Sequence, residues 1–137
     1  MSVSSVAALL DAAVLANTSA TTAFTEPYLR RQAIPAGETW VVSSIEIIGI
    51  DRRASNLNYV VALFTFTILH HLSDYTDSNT YRTTDMQTDQ EYLMDPNTYR
   101  VAGVKEVLDD GTVELDRLQR FENIMEYSVS VQLSIVP

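Results

Sequence analysis

Tyr127-Ser128-Val129-Ser130-Val131-Gln132-Leu133-Ser134-Ile135 is the stretch that decides the fold. Apolar and polar side chains alternate without a break. A period of two puts the apolar set on one face of a strand and the polar set on the other. The polar set is hydroxyl and amide rather than charged. Such a face can be covered on assembly without burying an ion.

Two longer runs upstream supply partners for this strand. Trp40 to Ile50 and Tyr59 to Leu72 are dominated by β-branched and aromatic residues, which favour a pleated, half-buried surface. The short polar connection Asp51 to Asn58 makes them a β-hairpin, with Gly49 as the site of a bulge. Both strands are apolar on both faces along part of their length, which implies cover from two sides. His70-His71 lies at the end of the second strand, where neighbouring side chains point to opposite faces. The pair is therefore unsuited to chelating one ion, and a strand-end histidine with its ring half exposed is expected.

Before the hairpin, Ser2 to Ala16 reads as a helix. Val6, Leu9, Leu10, Ala13 and Val14 recur at helical spacing and alanine fills much of the remainder,. Asn17, Thr18 and Ser19 end it, because their side chains compete for backbone partners. Residues 17–37 follow as a low-charge extended connector. Beyond the hairpin, Thr84 to Asp95 reads as a weaker helix with Met86, Leu93 and Tyr92 on its core side, stopped at Asp95-Pro96. Asp109-Asp110-Gly111 sits between Val101 to Leu108 and Thr112 to Phe121 and predicts a second hairpin. The expected architecture is α+β. A single mostly antiparallel sheet with a long β-hairpin packs against an N-terminal helix and a second, weaker helix, in one domain over 1–137.

Composition excludes several function classes. The chain of 137 residues has 46% hydrophobic and 20% charged residues, enough apolar material for a core and too much for wholesale disorder. It has no cysteine, so disulfides, a thiol nucleophile and a thiolate zinc site are impossible. No run is long enough to span a bilayer as a helix, and the apolar start lacks the basic residues of a signal peptide. A soluble protein without membrane association is expected. The net charge of −9 opposes a nucleic-acid-binding surface,. Thirteen of the acids fall in residues 74–137 against five basic residues, leaving the first half nearly balanced.

Motifs for chemistry are sparse. There is no G-x-S-x-G elbow and no glycine-rich phosphate loop. The carboxylate pairs Asp85 with Asp89, Asp109 with Asp110, and Glu114 with Asp116 sit in polar segments that give little reason for a raised pKa. Glu114 and Asp116 share a strand face where a divalent cation could bridge them, but exposed decoration explains them better. No catalytic, metal-binding or cofactor-binding residue is assigned, and no enzyme activity is expected. The informative polar groups are the arginine doublets Arg30-Arg31 and Arg52-Arg53, the latter at the hairpin tip. With the acids Asp109 and Asp110 they are the candidate interface residues, since guanidinium forks pair with carboxylates on a neighbouring copy.

Taken together, Val6-Ala7-Ala8-Leu9-Leu10, the hairpin from Trp40 to Leu72, the polar helical segment and the closing strand Met125-Glu126-Tyr127-Ser128-Val129-Ser130-Val131-Gln132-Leu133 resemble the tail terminator proteins of long-tailed bacteriophages. The resemblance implies a non-catalytic virion protein of the neck or tail, assembled in the host bacterial cytoplasm. It implies a ring, in that family a hexamer, that caps the tail tube and stops its polymerisation. The ring would also present the surface that joins the head. Partners would then be further copies of the chain, the tail tube protein and a head completion or connector protein, with genomic DNA passing through unbound. An acidic bore would suit that passage, because like charges repel. Two alternatives remain open at this point: another neck component such as a head completion or adaptor protein, or a small cellular ligand-binding domain.

Overall fold

The computed structural model describes residues 3–25, 34, 38–54, 57–71, 86–108, 114–115, 119–121 and 124–136. Helix α1 spans Val3–Asn17. It ends as its polar residues dictate. Asn17 Nδ2 donates to the Ala13 carbonyl at 2.8 Å, and both the amide and the hydroxyl of Thr18 turn back to the Val14 carbonyl, at 3.1 and 2.6 Å. These bonds satisfy carbonyls that the helix end would otherwise leave open.

The hairpin is formed by β2 (Thr39–Ala54) and β3 (Leu57–His71). Its strands run through most of the segment expected to be a polar turn, so the arm is longer than the sequence suggested. The register slips between Ile47 and Gly49, which places the expected bulge there. Strand β7 (Ile124–Ile135) lies antiparallel to the other side of β3 along its whole length.

Two expectations are corrected. The supposed connector contains a short strand, β1 (Thr22–Thr25), paired in parallel with the start of β2, so the sheet is mixed at that edge. The second hairpin is also absent among the described residues. The strands β4 (Val104–Val107), β5 (Glu114–Leu115) and β6 (Gln119–Phe121) all pair with β7, end to end along one edge. Between Val107 and Glu114 the edge advances seven positions while β7 retreats only three, from Leu133 to Ser130. A twelve-residue β7 offers a full row of backbone groups, and satisfying that row outweighs a local turn preference,. The strand order is β1-β2-β3-β7, with the broken β4–β6 strand as the far edge.

Helix α2 (Gln87–Met94) ends at Asp95, as the Asp-Pro step requires, and a 3₁₀ turn follows over Pro96–Tyr99,. The core lies between these helices and one sheet face. Val6, Leu10 and Val14 of α1 meet Phe64, Phe66 and Ile68 of β3 and Tyr127, Val129, Val131 and Leu133 of β7, with Met86, Leu93 and Tyr99 closing the other end. Phe66 and Tyr99 hold their ring centroids 6.1 Å apart. A smaller cluster of Ile34, Trp40, Val42, Leu69 and Ile124 covers the root of the opposite face. Further along that face Thr67 and Ser128 are linked at 2.9 Å and Thr65 and Ser130 at 3.2 Å. This is the uncharged hydroxyl surface that the alternation of β7 specifies.

Candidate functional site

The structure brings together one set of residues with catalytic chemistry, and their geometry decides what they do. Ser19 follows the end of α1, His70 ends β3 and Asp89 lies on the inner side of α2. Asp89 is only 2% exposed and His70 is fully buried. The Asp89 carboxylate accepts the Ser19 amide at 2.9 Å through Oδ1 and the Ser19 hydroxyl through Oδ2. His70 Nε2 stands 3.7 Å from Oδ2, and its ring stacks on Tyr127 at 5.9 Å. Burial pushes the imidazole down to about 3 from 6.5, so it is neutral at pH 7,.

That constellation is wired as a clasp. A nucleophilic serine donates its proton to an imidazole, and the carboxylate stands behind the imidazole. Here the serine donates to the carboxylate, with Asp89 and His70 buried and Ser19 half-buried. The clasp ties the end of α1, the end of β3 and α2 to one another. His70 therefore departs from the half-exposed strand end expected of it, because α2 and Tyr127 cover the ring. His71, on the other face, is the partly exposed one. The alternation of the pair across the sheet is as expected, and no metal-ligating group of three or more side chains occurs among the described residues. Sequence reasoning missed Ser19 and Asp89 as partners, since they stand 70 positions apart and neither lies in a motif.

The outer surface carries the other functional candidate. Cross-strand partners share a sheet face, so Ile45, Ile47 and Ile50 of β2 continue the face that bears Phe64, Ala62 and Val60 of β3. The helical layer covers the β3 and β7 side of that face and stops short of the far half of β2. Ile47 and Ile50 are left 63% and 62% exposed, and Ile45 and Ile48 are exposed beside them. Each isoleucine in water forgoes ~1.5–3 kcal/mol that full burial would return. A contiguous row of them at one end of a hairpin marks a contact surface.

No protein-family model matches the sequence, and no curated protein matches it. Among solved structures, the chain is similar to a chain of "Virion of native gene transfer agent (GTA) particle", with 12% identity and a TM-score of 0.47 over 95% of this chain and 86% of that chain.

The candidate interface residues from the sequence divide in two. Arg52 and Arg53 lie in β2, two and three positions beyond Ile50, at the outer end of the arm. Arg30, Arg31, Asp109 and Asp110 lie outside the described residues, as does Asp116 of the carboxylate pair with Glu114. Asp11 is the one charged residue of α1. It turns inward to a hydrogen bond with Ser43, and burial raises its carboxyl above the ordinary aspartate range against that bond. The outward side of α1 is therefore without charge. No described helix is long and apolar enough to cross a membrane.

Proposed function

We propose that this chain is an architectural subunit that works through its surfaces, closing into a ring at the end of a phage tail tube. In that reading it is a virion protein of the neck. It stops tube growth and presents the surface to which the head joins, as in the tail terminator family its sequence resembles. It carries out no reaction. The exposed isoleucine row on the long β2–β3 arm carries the proposal. An arm of this kind gains free energy only when something covers it, and head-to-tail contact between copies covers every arm in a closed ring.

Other features support the same reading. The gathering of serine, histidine and aspartate is bonded in a way that withholds the serine from the histidine, with the histidine and aspartate buried. The sheet face opposite the helices carries a strip of hydroxyls, Thr65, Thr67, Ser128 and Ser130, that another wall or subunit can approach, with Glu46 and Glu126 at its flanks. The acid surplus of residues 74–137 disfavours adhesion to DNA in transit,.

The test is imaging of tail tubes assembled with and without the protein. Uniform tube lengths, with ring density at one end, are expected in its presence. Binding to DNA-filled heads with tube lengths unchanged would instead make it a component of the head side of the neck. A protein that ignores both particles would overturn the architectural reading.

A further inference from the structure

We draw no further inference here: the strongest candidate, the exposed isoleucine row Ile45, Ile47 and Ile50 along the outer half of β2, is an apolar strand surface for which nothing in the structure shows what covers it.

Discussion

Asp89 holds Ser19 by two bonds at once, one oxygen on the amide and the other on the hydroxyl, across 70 positions of chain. Few contacts in the molecule join three elements through so few atoms. The carboxylate is buried, so its stability depends on the donors Ser19 brings and on the dipole of neighbouring groups rather than on water. Removing it strands two part-buried donors. Asp89→Ala should therefore cost about 3 kcal/mol, and Asp89→Asn less, because the amide retains an acceptor oxygen. Urea unfolding measures both. A loss below about 1 kcal/mol for the alanine variant would show that water replaces the carboxylate and that the clasp is open.

His70 gives the clasp a pH dependence of definite sign. Its folded-state pKa is about 3 and its unfolded value 6.5. Between those limits the unfolded chain binds the extra proton, so stability falls as the pH falls below about 6.5 and is untouched above it. The steepest slope from one such group is ~1.4 kcal/mol per pH unit. The groups facing the imidazole include the Asp89 carboxylate and the Tyr127 ring. Asp89 works against the shift, but its oxygens are committed to Ser19 and burial prevails. Unfolding free energies of the native chain and of His70→Gln between pH 7.5 and 4.5 should diverge by this slope. Parallel curves would mean that Asp89 keeps the imidazole charged.

The parts of this fold that were legible are those whose reason is local. The alternation from Tyr127 to Ile135, Val6, Leu10 and Val14 of the α1 stripe, and the β-branched runs of the hairpin each announce a face that must be buried. Leu9, read into the same stripe, instead lies on the exposed side of α1. The bulge at Gly49 and the stop at Asn17 and Thr18 were legible for the same reason. Thr22–Thr25 was not, because four residues of an edge strand carry no period and their pairing with β2 is decided elsewhere in the chain. The flanks of Asp109-Asp110-Gly111 read as partners of each other when turn chemistry is considered without its competitor, the edge of β7, with which β4 and β5 pair. The three turn residues themselves lie outside the described residues. The clasp was invisible for a related cause. Asp89 looks like one more acid on a polar helix until the fold sets Ser19 against it.

Leu10 sits at the centre of the inward stripe of α1 and is fully buried. Leu10→Ala removes apolar contacts and leaves a cavity that the sheet below cannot fill by relaxing. The expected cost is about 2–5 kcal/mol. Leu9→Ala, one position along on the exposed side, should change stability by less than ~0.5 kcal/mol. The contrast between neighbours checks the orientation of α1. Equal losses would mean that the helix is rolled about its axis from the orientation described.

Gly103 joins the 3₁₀ segment to β4 with φ of 92°, a region closed to side chains bearing a Cβ,. Its conformation has a purpose in the pairing of the sheet. The Gly103 carbonyl accepts the Val136 amide at 2.9 Å, and the next residue, Val104, turns its own amide back to Val101 at 3.1 Å. Val104 then begins the register with Ile135 that starts the edge strand along β7. Gly103→Ala forces either strain or a shifted start to that strand, at a cost of about 1–3 kcal/mol. Amide hydrogen exchange should show the loss locally, with faster exchange at Val136 while the β2–β3 pairing keeps its protection. A variant that leaves the Val136 amide as slow as before would show that the left-handed turn is not what anchors this edge.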